Sequence, residues 1–395
     1  MLILIRIIVM FKKFDGGENM EYKNLIQSTI KEVYPNYLVK VLLKKLEEKN
    51  IVSYKEDLLT QNAYIFSNED ETPYHPKYDT TELLAALDNK TNEVISVVQE
   101  QEYESPYSYS ALFEIEEEWK DNLDLAIQEG LILPVESENY NHDQLANNVM
   151  NSIPSYKKAS SLHILKFSLH LIGYLPQEHD NKREIVYPVV CLLNSETNMV
   201  EIRFEKVKGY ISNGESGFYV KKVEEVKQKI ESLLGIELLA INLSSIVKYI
   251  KESLNESEEN EVAVSAQALE YHTGSKAVLD SGNNDNMILP LIGNLKDILK
   301  NNEELFDAND QTKQIQEMLE EIILEAEYLS DHPWITLAWK NDVKSKIVKV
   351  KFLFNYHGQD FSVLQYYGSN ADSERMSYVT QFIFDNKQRL ASQTE

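Results

Sequence analysis

Within "ILKFSLHLIGY", residues 164–174, the chain alternates Leu165, Phe167, Leu169 and Leu171 with Lys166, Ser168 and His170. This period of two is the signature of a half-buried strand. The run "IVYPVVCLLN" follows a polar turn, "LPQEHDNKRE", and after "SETN" the segment "MVEIRFEKVKGY" carries Val200, Ile202, Phe204 and Val207 at apolar positions. Three such runs joined by short polar turns predict an antiparallel meander. A meander with one apolar face must be covered. The next segment, "VKKVEEVKQKIESLLG", supplies a long amphipathic helix, with Gly235 where a left-handed cap is wanted.

The C-terminal part reads in the same order. Helical "LPLIGNLKDILKNNEELF" and "TKQIQEMLEEIILEAEYL" precede "WITLAWKN", "KIVKVKFLFNYHGQDFSVLQYYG" and a last helix, "DSERMSYVTQFIFDNKQRL". Val348, Val350, Phe352 and Phe354 alternate with Lys349, Lys351 and Leu353, and "HGQD" marks the turn. Lys344, Lys346, Lys349 and Lys351 form a basic stripe, suited to phosphate or to guarding a sheet edge against pairing. The expected class is α+β: an N-terminal winged-helix-like module, a helical segment, then two mixed domains, each with a short antiparallel sheet of three strands plus a helix. The expected boundaries are 20–66, 81–150, 155–252 and 262–395, with acidic or Pro-broken joints between them. The helical segment includes "ALFEIEEEWKDNLDLAIQEGLI", and Tyr103, Tyr107 and Tyr109 cluster in the turn before it.

At the N-terminus, "EYKNLIQSTIKEVY" and "PNYLVKVLLKKLEEKN" read as two helices, the second opened by Pro35. Val39, Leu42, Leu43 and Leu46 make its apolar stripe, and Lys40, Lys44, Lys45 and Lys49 stand on the other side. Two short β-prone runs, "IVSY" and "AYIF", could then pair. Helices followed by a small hairpin resemble a winged-helix module. That resemblance implies a recognition helix that would set Asn36, Tyr37, Lys40, Lys44 and Lys45 against DNA, with lysines on phosphates and Asn36 on an adenine edge. The alternative is that residues 36–49 dock onto protein or onto a second copy. Upstream, "MLILIRIIV" is too short to span a bilayer and lacks a cleavage site for export. Gly16, Gly17 and Glu18 can be encoded as a bacterial ribosome-binding sequence just ahead of Met20. Residues 1–19 are therefore expected to be a non-native leader, with translation starting at Met20.

Sixty-four acidic against 39 basic residues give a net charge of −25, which argues against general coating of nucleic acid. Any DNA contact would be local. The single cysteine, Cys191, rules out an internal disulfide and any thiolate-rich zinc site, and fits a reducing cytoplasm. Its apolar neighbours make it a core side chain. The chain has no GxxxxGK[ST], GxGxxG, GxSxG or HExxH motif, so the common nucleotide-binding, esterase and zincin classes lack their signatures.

Two constellations remain. His163, His170, His179 and Asp180 match no standard metal spacing. Asp180 or Glu184 with Glu201 and Arg203 has the residue types of a metal-dependent nuclease, paired carboxylates beside a base, although Arg203 stands where such nucleases resemble one another in having lysine. With no firmly placed second acid, solvated strand charges are the simpler reading. The sequence thus points to a non-enzymatic binding or accessory subunit of a prokaryotic cytoplasmic assembly, without cofactor, metal or membrane contact. Its expected partners are protein, with DNA as the other candidate through residues 36–49, and oligomer formation is a further expectation. A link to DNA or to defence against mobile elements follows from the style of architecture rather than from a motif. The alternatives are the nuclease and a winged-helix transcriptional regulator.

Overall fold

Alternation along β-prone segments and 3.6-residue periodicity elsewhere resolve into twelve strands and ten helices among the described residues. The structure is a computed structural model that describes residues 22–52, 80–138, 140–141, 145–146, 148–175, 182–254, 261–270, 276–280, 295, 298–324, 333–339, 347–367 and 373–394. The strands are β1 (Tyr109–Glu114), β2 (Leu133–Pro134), β3 (Ser155–Ala159), β4 (Leu162–Tyr174), β5 (Lys182–Asn194), β6 (Met199–Phe204), β7 (Leu239–Ala240), β8 (Val262–Glu270), β9 (Lys276–Asp280), β10 (Trp334–Trp339), β11 (Val348–Leu353) and β12 (Val363–Tyr367). The helices are α1 (Tyr22–Glu32), α2 (Asn36–Glu48), α3 (Thr80–Asn89), α4 (Thr91–Glu104), α5 (Lys120–Gln128), α6 (Phe218–Leu234), α7 (Leu243–Leu254), α8 (Glu303–Phe306), α9 (Asp310–Leu324) and α10 (Ser373–Thr394). None of these helices is long and apolar enough to cross a membrane.

The expectation of two small sheets in two mixed domains is corrected here. Eleven strands lie side by side in one sheet, in the order β2-β3-β4-β5-β6-β1-β12-β11-β10-β8-β9, and β7 pairs with the end of β1 as a twelfth. The joining strand is β1, which lies inside the segment expected to be helical. It pairs antiparallel with β6 along its whole length, Tyr109 opposite Phe204 and Glu114 opposite Met199, and with β12 through Tyr109–Gln365, Ser110–Leu364 and Ala111–Val363. Ala111, Leu112 and Phe113 are all buried, because neighbours cover both faces and both edges. Such a run has no alternation to read, and the adjoining Glu114–Glu118 gives it a helical look.

The meander β4-β5-β6 leads into α6, and β10-β11-β12 leads into α10. Strands β6 and β12 flank β1 in the same direction, yet their helices lie on opposite faces. Val200, Ile202 and Phe204 pack with Val223, Val226 and Ile230 of α6, whereas Leu364 and Tyr366 pack with Met376, Val379 and Ile383 of α10. A half-turn about an axis along β1 therefore relates the two units approximately.

Helices α1 to α4 form a third apolar cluster with Val186 of β5. Pro188 explains how they reach it. The β5–β6 ladder begins at Val189, one residue past this proline, so no β6 partner satisfies the strand beyond it. There α1 takes over: the Thr29 hydroxyl accepts from the Val186 N–H at 2.8 Å, which satisfies a backbone donor that would otherwise be orphaned. Of the winged-helix reading, two helices lie in the described part. Of the hairpin expected from "IVSY" and "AYIF" (51–66), only Ile51 and Val52 are described; the rest of it and the leader 1–19 lie outside the described residues.

Gly173 on β4 tests the packing of the sheet end against the loop before α6. A Cβ there would stand 2.4 Å from the Tyr210 carbonyl oxygen and 2.7 Å from the Ile211 Cα, both backbone atoms. Gly173→Ala should destabilise the protein by about 1–3 kcal/mol, seen as a lower urea midpoint at unchanged slope. A midpoint equal to wild type would show that the loop yields freely.

Candidate functional site

Covering both faces of β4 changes the meaning of its polar positions. Lys166 is wholly buried beneath α4, and Glu102 opposite it is nearly so. The Lys166 Nζ donates to Glu102 Oε2 at 2.6 Å and also to Gln99 Oε1. Around this pair the hydroxyls close ranks. Tyr34 donates to the other Glu102 oxygen at 3.0 Å, Tyr140 donates to Gln99 Oε1 at 3.1 Å, and Gln99 donates to the Tyr22 hydroxyl. Tyr107 donates to the Glu102 carbonyl at 2.6 Å, and Tyr103, whose ring lies 5.1 Å from the Lys166 Nζ, donates to Ser155 at 2.6 Å. Burial lowers the Lys166 pKa, and the Glu102 charge pulls against that shift. Wholly covered in this way, the pair acts as a connector between α4 and the sheet.

A second buried pair lies on the same face two strands away. Along one row of the sheet Ser155, Lys166, Val190, Arg203 and Ser110 stand opposite one another. Arg203 donates to Glu201 Oε2 at 2.7 Å and to Ser377 of α10 at 3.1 Å, and Thr380 of α10 donates to the same Glu201 oxygen at 3.0 Å. These contacts hold α10 on the sheet as Lys166 and Glu102 hold α4.

The nuclease constellation does not come together. Asp180 lies outside the described residues. Glu184 binds His170 at 2.6 Å and Lys182 at 2.5 Å. Burial alone would raise its pKa, but these two partners lower it. The β5 residue opposite Glu201 is Leu192, eight positions from Glu184, a separation of roughly 27 Å at about 3.4 Å per residue. Glu201 and Arg203, the other two members, are sealed under α10. Among the described residues no group of three His, Cys, Asp or Glu is gathered as a metal site would need. Cys191 is buried in the core, where burial raises its thiol pKa.

The accessible member of the expected set is α2. Its inner face buries Val39, Leu42, Leu43 and Leu46, while Asn36, Tyr37, Lys40, Val41 and Lys44 are exposed. Lys45 is half-buried and pairs with Glu104 of α4 at 2.6 Å, and Lys49 pairs with Glu100. Lys44 lies 3.7 Å from Glu48. The helix thus offers an apolar pair, Tyr37 at 43% and Val41 at 38% exposure, edged by Lys40 and Lys44. Sequence reasoning found this face but missed the Lys166 network, because a lysine at an alternating polar position looks solvated unless the covering helices are known. The turn tyrosines were its one visible sign. No family model and no curated protein matches the chain, so geometry and chemistry alone carry its functional reading.

Buried tyrosines make the fold sensitive to alkali. Burial, above all, raises the pKa values of Tyr22, Tyr34, Tyr107 and Tyr187 well above the ordinary 10. Above that pH the unfolded chain loses protons that the folded chain keeps, so the stability these groups confer is intact below 10 and is lost as pH climbs towards their folded values. Lys166 acts in the opposite sense, but its contribution is complete at the ordinary lysine value of 10.5. Urea unfolding from pH 8 to 11 should show stability dropping above pH 10 by about 1.4 kcal/mol per unit for each buried tyrosine. Tyr187→Phe should make that drop shallower, and an unchanged slope would mean that Tyr187 ionises in the folded state.

Proposed function

We propose that the protein is a binding subunit that presents the outer face of α2 to a protein partner, serving as an accessory component of a prokaryotic cytoplasmic assembly. The observation that carries this reading is the exposure of Tyr37 and Val41 on a helix whose other side is packed. A tyrosine supplies much contact area with few rotors, and an apolar pair with a charged rim is the composition of a small interface centre. Lys40 and Lys44 at its edge favour an acidic surface on the partner.

DNA is the second reading, favoured by Asn36, Lys40 and Lys44 pointing outward from the same helix. The ion pairs of Lys45 and Lys49 count against it. They place Glu104 and Glu100 beside the helix, where a phosphate backbone would be repelled, and they occupy two of the four lysines.

Two double variants separate the readings. Tyr37→Ser with Val41→Ser should abolish co-purification of the partner, and Lys40→Glu with Lys44→Glu should weaken it. Both should leave stability within about 0.5 kcal/mol, as expected for exposed positions. Fluorescence anisotropy with a labelled duplex at low salt should show no binding by the wild type. Duplex binding that the lysine reversal abolishes while the Tyr37/Val41 variant retains it would replace protein docking by DNA.

A further inference from the structure

The second half of the sheet exposes part of the face opposite α10. Tyr109, Gln365 and Lys351 stand in one row across β1, β12 and β11. In the neighbouring row Tyr367 stands opposite Lys349. These positions share a face with Ala111 and Val363, whose side chains belong to the core beneath α6, while Leu364, Tyr366, Val350 and Phe352 turn to the α10 side. Lys349 and Tyr367 are exposed, and Tyr109, Lys351 and Gln365 are half-buried.

The rings are held in place. Tyr109 stacks on Phe204 with centroids 5.4 Å apart and an interplanar angle of 9°, and on Tyr219 at 5.4 Å. The Lys351 Nζ lies 3.7 Å from the Trp334 ring centre, which fixes the ammonium over the sheet. Tyr367 donates to Gln365 at 2.9 Å. Glu205 lies nearby, its carboxylate accepting from the Ser108 N–H at 3.2 Å, from the Ser108 hydroxyl and from the Lys206 N–H at 2.8 Å. In a chain of net charge −25, two lysines interleaved with fixed aromatic faces on an open sheet form a local reversal of charge.

We propose that this sheet face, centred on Tyr109, Tyr367, Lys349 and Lys351, binds single-stranded nucleic acid. Bases stack on exposed aromatic rings whatever their sequence, and lysines beside those rings take the phosphates. The Gln365 amide, between Tyr109 and Lys351 in their row, offers its N–H groups to a base edge. The face is remote from α2 in sequence and does not depend on the partner proposed for that helix.

The test uses the full chain and a labelled ten-nucleotide oligo-dT or oligo-U, followed by anisotropy at low and at physiological salt. The wild type should bind the single strand at low salt, with a salt slope of about −1.4 for two phosphates neutralised. An unlabelled duplex should compete poorly. Lys349→Gln with Lys351→Gln should flatten the slope, and Tyr367→Ala, at a 40% exposed position, should weaken binding by roughly tenfold. Thermal melts of each variant check the fold. If the lysine pair melts lower than wild type, Lys349→Gln alone and Tyr367→Ala carry the test, since both sites are exposed. Three results overturn the proposal: no binding by wild type at low salt, competition by duplex as strong as by single strand, or variants that bind as wild type does.

Discussion

Everything in the molecule depends on the two ladders of β1. Six residues bond to β6 along one edge and to β12, then β7, along the other, and through them two antiparallel meanders become one sheet. Left separate, each meander would end in an open edge, with unpaired backbone groups ready to pair with other chains. Joined through β1 they shield one another. The joining also puts α6 and α10 on opposite faces, because each follows its meander by the same route while β6 and β12 lie on opposite sides of the same strand.

Burial of both faces creates a demand that apolar packing cannot meet. Polar positions that a one-sided sheet would leave in water, Lys166 on β4 and Glu201 and Arg203 on β6, end up under helices. A buried charge is tolerated when it is paired and hydrogen-bonded, and the net gain of such a pair over an apolar one is small. What these pairs supply is position. Glu102 meets Lys166 only when α4 sits at one place along β4, and Thr380 meets Glu201 only when α10 is seated. Thr29 fixes α1 against β5 in the same way, through the backbone left open beside Pro188.

The surfaces left to function are therefore those not consumed by this docking. On α2 the lysines nearest α4 are neutralised and the outer apolar pair is left open. On the sheet, the β11 and β12 side chains that turn away from α10 keep their rings and ammonium groups accessible. A lysine stripe read along a sequence thus separates into structural and accessible members only after its neighbours are known.

By itself the sequence determined the local elements with strong periodicity. Alternation fixed β4, β6 and β11; the apolar stripe fixed the inner face of α2; and the C-terminal end of α6 followed from Gly235, which takes the left-handed conformation at φ 62°. These properties depend on residues a few positions apart, which is why they are legible in the chain. Tertiary structure decided the rest. It made a central strand of Tyr109–Glu114, merged two expected sheets into one, parted Glu184 from Glu201, and turned Lys166 from a solvated side chain into a buried connector. Each of these outcomes rests on pairing or burial between residues tens to hundreds of positions apart, and no local pattern encodes which faces and edges the remainder of the chain will cover.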